Sequence, residues 1–150
     1  MAETLGSLVD KLAIKELRLS ALEAGGGKIE GVKEKLGIVK KQRDELVEEI
    51  DYFIMKAAKG MVGIKDLKVK LYNKPLKRKK EKGGIGRLVS LLAAVNRKLW
   101  CLEDEARKTG TADSHIAAVK RQIDVANQER NDLMDEIDTA LERLLKAKKT

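Results

Sequence analysis

The chain contains very few of the residues that mark disulfide-bonded, β-rich or membrane-spanning proteins. Its 150 residues include one cysteine (Cys101), one proline (Pro75) and only 3% aromatic residues. The single cysteine excludes an internal disulfide and fits a reducing compartment, so we expect a cytoplasmic protein. No apolar run approaches the roughly 18 residues that a transmembrane helix requires, so no membrane span is predicted.

Charged residues are abundant, at 37% of the chain, and the formal net charge is +8. A sequence this rich in Ala, Glu, Lys, Leu and Arg is typical of long helices. The basic surplus attracts phosphates, nucleic acids and acidic membranes, but by itself it indicates only solubility and weak attraction.

Apolar residues recur at three- and four-residue steps in four stretches, which is the spacing of amphipathic helices. We predict helices over residues 4–24, 29–59, 85–108 and 115–148. Glycines end the first helix, and the segment TGTADS separates the third helix from the fourth. Residues 60–85 are basic and rich in glycine, so we expect a long crossover connection there.

The second half of the chain repeats the first. The recurring pairs include Leu8 and Leu88, Val9 and Val89, Leu12 and Leu92, Arg43 and Arg130, Leu46 and Leu133, and Asp51 and Asp138. One helical hairpin leaves an apolar face in water, whereas two hairpins can cover each other. The repeat therefore predicts a single all-α domain over residues 1–150. Its architecture is a four-helix bundle of two tandem helical hairpins (4–59 and 86–148), with pseudo-twofold symmetry and a long basic crossover (60–85).

Two arginines occupy positions where the apolar seam of a helix continues. The seam of the second predicted helix passes through position 43 and that of the fourth through position 130, so Arg43 and Arg130 face the core. A buried guanidinium group is costly unless an acid pairs with it. Register across the turns places Arg43 near Asp10 or Lys11 and Arg130 near Ser90 or Leu91. We expect both arginines to share or compete for Asp10, with Glu45, Asn131 and Asp132 nearby. The candidate site residues are Asp10, Arg43, Arg130, Asn131 and Asp132.

These five residues form the first candidate site, and three interpretations of it are open. The residues can form a structural ion network that fixes helix register. They can form an anion or carboxylate pocket, because the arginine fork matches such groups. Alternatively, the arginines can extend to solvent at the edge of the core.

A second candidate cluster lies on the third predicted helix. Asn96, Trp100, Glu103 and Arg107 share one stripe, and turn register places Glu103 near Lys120 and Arg107 near Asp113. We interpret these contacts mainly as salt bridges of a hairpin, each worth less than about 1 kcal/mol when exposed.

One recognisable pattern in the last third of the chain consists of Trp100, Glu103, Asp104, Ala106, Arg107, Ile116, Ala117, Lys120, Arg121, Ile123, Asp124, Asn127, Gln128, Arg130, Asn131, Asp132, Ile137 and Asp138. With this pattern the chain resembles the bacterial domain-of-unknown-function 4254 family. The segments TLGSLVDKLAIKELRL and KLYNKPL also look like that family, so the resemblance covers most of the chain and is specific in its last third. Cys101 stands where the pattern of that family has His. The resemblance implies an all-helical bacterial protein with a loose link to surface-polysaccharide genes, and it supplies no activity.

The sequence favours a binding or scaffold module without a cofactor, whose partner is a protein or a small anion. Exposed apolar residues such as Ile14, Leu17 and Ile54 are compatible with a homodimer. One alternative is a metal-dependent phosphohydrolase, since Asp132, Asp135 and Asp138 are spaced to approach one helix face. Another alternative is weak nucleic-acid binding through the basic crossover, which the scarcity of aromatic residues makes unlikely.

Overall fold

A computed structural model of the protein describes residues 3–65 and 83–147. These residues form four α-helices and no strand: α1 (Leu5–Gly25), α2 (Val32–Ala58), α3 (Ile85–Ala106) and α4 (Asp113–Ala147). The predicted all-α class and the four helices are therefore confirmed. Most of the predicted crossover, including its cluster of lysines and arginines, lies outside the described residues.

The start of α1 and its connection to α2 are set by local sequence. Thr4 is the N-cap of α1, and its side chain and that of Ser7 each accept a hydrogen bond from the other residue's backbone N–H. This reciprocal arrangement satisfies two N–H groups that the first helical turn leaves free. The connection to α2 includes the 3₁₀ helix Gly26–Lys28 and Gly31, whose φ of 65° favours glycine. As a result α2 begins at Val32, later than predicted.

Helix α1 is central, since it packs against α2, α3 and α4, and α3 also packs against α4. The buried apolar residues that form one cluster are Leu5, Leu8, Leu46, Phe53, Ala57, Leu88, Leu92, Leu133, Ile137 and Leu141. Gly6 permits a close approach to α4, because a Cβ atom there would lie 2.3 Å from the carbonyl oxygen of Met134. The N-terminal turn of α1 therefore lies directly against the backbone of α4.

Helix directions follow from the residues that meet. Gly6 contacts Asp138, whereas Asp10 contacts Arg130, so α1 and α4 are antiparallel. His115, in the first turn of α4, pairs with Glu105 near the end of α3, so α3 and α4 are also antiparallel. It follows that α1 and α3 run in the same direction.

The C-terminal part of α4 corrects one predicted core position. The spacing of apolar residues at 133, 137 and 140 predicts that the seam of α4 continues to Leu144, but Leu144 is 58% exposed, whereas Leu141 is buried. A straight α-helix drifts by about 20° per heptad relative to an exact seven-residue repeat. Over the length of α4 this drift brings Leu141, one turn after Ile137, into the core. None of the helices that the structure describes has an apolar stretch long enough to cross a membrane.

Candidate functional site

Asp10 is the centre of a buried polar cluster to which three helices contribute. Its carboxylate is on α1, and its Oδ1 atom accepts a hydrogen bond of 2.9 Å from Nδ2 of Asn96 on α3. Nε of Arg130 on α4 lies 3.7 Å from the same oxygen. Asp10 and Asn96 are only 5% and 4% exposed, so this polar centre is enclosed by the helices that supply it.

The contact between Arg130 and Asp10 is an ion pair without a hydrogen bond. Its separation exceeds hydrogen-bonding distance, and Nε of Arg130 is buried without a hydrogen-bond partner among the described residues. The rest of the side chain reaches outward, since it is 31% exposed. One carboxylate therefore offsets one guanidinium group, and the pair carries no surplus positive charge for an anion.

Arg43 has different partners. Its Nε donates to Asp44 at 2.6 Å, and an Nη atom donates to Glu16 at 3.4 Å. The hydrogen bond to Asp44, followed by that to Glu16, raises the pKa of Arg43 above its usual value. Within the described residues, Asp10 is therefore not shared by the two arginines, and the predicted placement of Arg43 is wrong.

The longer connection between α1 and α2 explains this difference. Nζ of Lys15 donates to Oε1 of Gln42 at 2.8 Å, and Arg43 meets Glu16. The prediction used a turn centred on the glycines, whereas α2 begins only at Val32. Residues of α2 consequently face positions of α1 that lie further from its N-terminus than expected.

The remaining residues of the first candidate site lie on the outer side of α4. Asn131 is exposed. Asp132 is half-buried and accepts a hydrogen bond of 2.9 Å from Nε2 of Gln128, one turn earlier on the same helix. The structure thus joins Asp10 to Arg130 but not to Arg43.

The structure also places the residues of the second candidate cluster in separate environments. Arg107 pairs with Asp104 and Glu103 of its own helix, at 3.2 and 3.7 Å, instead of the predicted Asp113. Lys120 is exposed, and Trp100 is half-buried. The predicted contact between Glu103 and Lys120 is not found among the described residues, because Glu103 contacts Arg107. Only Asn96 lies in a buried polar environment.

The role of Asn96 could have been inferred from sequence. It lies four residues after Leu92 and three before Leu99, and both leucines are buried. A polar residue on that line requires a buried partner, as Arg130 does on α4. The sequence interpretation grouped Asn96 with the salt-bridge residues of α3 and therefore missed its hydrogen bond to Asp10.

Two of the three carboxylates proposed as metal ligands, those of Asp132 and Asp138, bind separate partners. Asp138 is buried, and its Oδ1 accepts a 2.7 Å hydrogen bond from the backbone N–H of Gly6. This contact places a carboxylate at the N-terminus of α1, where the helix dipole favours negative charge. Asp132 is held by Gln128 instead. The described residues contain no group of three or more His, Cys, Asp or Glu side chains that could hold a metal ion.

An apolar groove of about 700 Å³ runs between α1 and α3. Its lining is mainly aliphatic, with three charged residues: Glu16 on the α1 wall, and Arg97 and Lys98 on the α3 wall. The residues that line it are Val9, Leu12, Ala13, Glu16, Leu17, Ser20, Val89, Ala93, Ala94, Arg97, Lys98 and Cys101. Within the described part of the chain, neither Arg97 nor Lys98 forms an ion pair. Leu17, which the sequence predicted to be exposed, is half-buried in this groove.

Four packed helices, a buried polar centre and an open apolar groove define a small all-α protein. The sequence model of a family described as protein of unknown function (DUF4254) matches residues 86–150. These residues, which include α4 and all of α3 after Ile85, are therefore similar to that family, and the predicted resemblance is confirmed over this part of the chain. No curated protein and no solved structure matches the chain.

Proposed function

We propose that the protein is a binding or scaffold module and that the groove between α1 and α3 is its docking surface. The observation that carries this proposal is the apolar lining of the groove on the surface of the chain. Ala93, Ala94 and Cys101 are exposed, and Leu12, Leu17 and Val89 are only half-buried. A contiguous apolar surface of this kind is typical of interaction sites.

The shape of the groove favours a helix over a small molecule. Sites for small ligands usually enclose most of the ligand surface. Here α1 and α3 alone supply the walls, so a small ligand would remain largely in water. An amphipathic helix placed along the groove would cover the apolar residues of both walls and keep its own polar face in solvent.

The charged residues around the groove also decide how an anionic partner would bind. Asp10 lies beside Arg130, and Asp44 and Glu16 bind Arg43. Both arginines of the first candidate site are therefore offset by acids. Arg97 and Lys98 are the cations available at the groove, and carboxylates of a partner would contact them there.

The domain organisation that this proposal assumes has two tandem hairpins, residues 4–59 and 86–148, related by pseudo-twofold symmetry and joined by the crossover 60–85. Packing of α1 on α2 and of α3 on α4 supports it. On the basis of the family resemblance, we propose further that the protein acts in the cytoplasm and serves bacterial surface-polysaccharide pathways.

Cys101 provides a test that does not depend on the identity of the partner. It is the only cysteine of the chain, and it is exposed in the groove. We expect its labelling rate with a maleimide to be several-fold lower in an extract of native cells than in dilute buffer. An Ala93→Glu variant should restore the rate, because it places a charge inside the groove.

Ala117→Glu is the matched control, since Ala117 is an exposed alanine of α4 outside the groove. This variant should keep the protection of Cys101. Equal labelling rates in extract and in buffer would show that nothing occupies the groove and would contradict the proposed function.

A further inference from the structure

The groove between α1 and α3 carries charges of both signs on opposite walls. Glu16 lies on the α1 wall, whereas Arg97 and Lys98 lie on the α3 wall. Glu16 contacts Arg43 only at 3.4 Å, and its side chain remains 53% exposed, so it can accept a second cation. Arg97 and Lys98 form no ion pair with any described residue. The groove is thus apolar along its length, with an acid on one side and bases on the other.

We propose that the occupant of this groove is a second copy of the chain, which forms an isologous dimer; this inference rests on the proposed function. In such a dimer the two-fold axis runs along the groove, and α1 of each copy faces α3 of the other. Because α1 and α3 run in the same direction, this rotation keeps the facing helices parallel and brings the α1 wall of one copy, which carries Glu16, against the α3 wall of the second copy, which carries Arg97 and Lys98. Symmetry produces the contact twice.

The two signs of charge favour self-association over other occupants. A helix or small molecule rich in negative charge would satisfy Arg97 and Lys98 but would bring like charge against Glu16. A second copy satisfies both walls with the same residues. It also supplies two further helices, so the groove would be closed by four helices instead of two.

Side-chain size is consistent with close packing of the two copies. Ala13, Ala93 and Ala94 line the groove, and small residues permit helices to approach closely. Val9, Leu12 and Leu17 of one copy would then meet the α3 wall of the second copy, which includes Val89. The dimer core would consist of two copies each of α1 and α3.

Sedimentation equilibrium of the purified full chain tests this inference. We expect the wild type to reach twice the 16.7 kDa mass of one chain as its concentration rises. Ala93→Glu should raise the dissociation constant at least about tenfold, because it places a larger, charged side chain where the apolar walls of the two copies meet. Ala117→Glu should dimerise as the wild type does. A wild type that stays monomeric, or a dimer that Ala93→Glu does not weaken, would overturn the inference.

Exchanging the charges of Glu16 and Arg97 tests whether α1 of one copy faces α3 of the other. Arg97→Glu alone and Glu16→Lys alone should each weaken dimerisation, and the double variant should recover most of the lost affinity because both pairs are re-formed. A double variant that keeps its helical content by circular dichroism and still does not recover affinity would contradict the packing of α1 of one copy against α3 of the other.

Labelling of Cys101 separates the two proposals and also covers the case in which Ala93→Glu fails to fold. In purified wild type, the maleimide rate should fall as protein concentration rises through the dimer transition. A rate independent of concentration overturns the dimer. If Cys101 is then protected only in cell extract, the groove binds another partner and the proposed function holds. If it is protected in neither, both proposals fail.

Discussion

Asp10 is the residue on which three helices converge. Its carboxylate accepts a hydrogen bond from Asn96 of α3 and lies beside Arg130 of α4. Removing one member of such a buried group leaves the others without a partner, which costs more than the contact itself contributes. The cluster therefore specifies how α1, α3 and α4 fit together, whatever else it does.

Asn96→Ala should lower the free energy of unfolding by about 1–3 kcal/mol, because the buried carboxylate of Asp10 loses its hydrogen-bond donor. Urea denaturation followed by circular dichroism measures the change. Asn131→Ala is the control, since Asn131 is an exposed residue of α4, and it should change stability by less than about 0.5 kcal/mol. Equal effects of the two substitutions would contradict the structural role of Asn96.

Gly6→Ala should destabilise the protein by about 1–3 kcal/mol, because the added methyl group would overlap the backbone of α4 at Met134. Gly37 offers a matched control inside α2, where a Cβ atom would meet nothing within 4 Å. Gly37→Ala should instead stabilise the protein by about 0.5–1 kcal/mol, since alanine favours helices. Thermal denaturation of both variants would reveal the opposite signs; a stabilising Gly6→Ala would show that α1 and α4 do not approach closely.

At the scale of elements, the helices were largely predictable and their contacts were not. The period of apolar residues located all four helices, because burial of one face imposes that period. Register was harder, since it depends on where a connection ends. The 3₁₀ helix and Gly31 delay the start of α2 and move Arg43 from Asp10 to Glu16. Leu141 replaces Leu144 for a similar reason, the drift of helix phase along α4.

The contact between the end of α3 and the start of α4 should depend on pH. Nζ of Lys108 lies 2.7 Å from one Glu105 oxygen, and Nε2 of His115 lies 2.9 Å from the other. Lys108 first, and then His115, lowers the pKa of Glu105 below its ordinary value of 4.5. A carboxyl group with a lowered pKa stabilises the fold above its ordinary pKa, and this contribution is lost as pH falls through the folded pKa.

Glu105→Gln should therefore lose less thermal stability than the wild type between pH 6 and pH 3. The difference in Tm should be small, at most about 2 °C, because the group is exposed. Circular dichroism melts across this range measure it. A larger loss of thermal stability at low pH in Glu105→Gln than in the wild type would contradict the lowered pKa of Glu105.

On the scale of the whole molecule, burial is unevenly distributed. In α2 only Leu46, Phe53 and Ala57 are buried, and all three lie in its second half. Helix α2 packs mainly on α1, whereas α1, α3 and α4 pack on one another. The polar cluster belongs to that three-helix part. Sequence repetition suggested two equivalent arginine environments, but only Arg130 lies where three helices meet.

Native-state hydrogen exchange should reproduce this division. Backbone amides of residues 35–44 in α2 should exchange earlier than those of residues 133–141 in α4, because segments with few buried contacts open at lower free energy. Mass spectrometry of peptides after timed exchange provides the measurement. Equal protection of the two segments would show that α2 is as firmly held as the rest.

The hydrogen bond from Gly6 to Asp138 spans 132 positions of the chain, which has a consequence for synthesis. On the ribosome the first helix emerges long before its acceptor has been translated, by on the order of ten seconds at usual elongation rates. During that interval the backbone N–H of Gly6 lacks its final acceptor, and the surface at Gly6 lacks the backbone of α4 that packs against it. The contact between α1 and α4 can therefore form only after Asp138 has been translated, and chaperones that shield α1 would act within this delay.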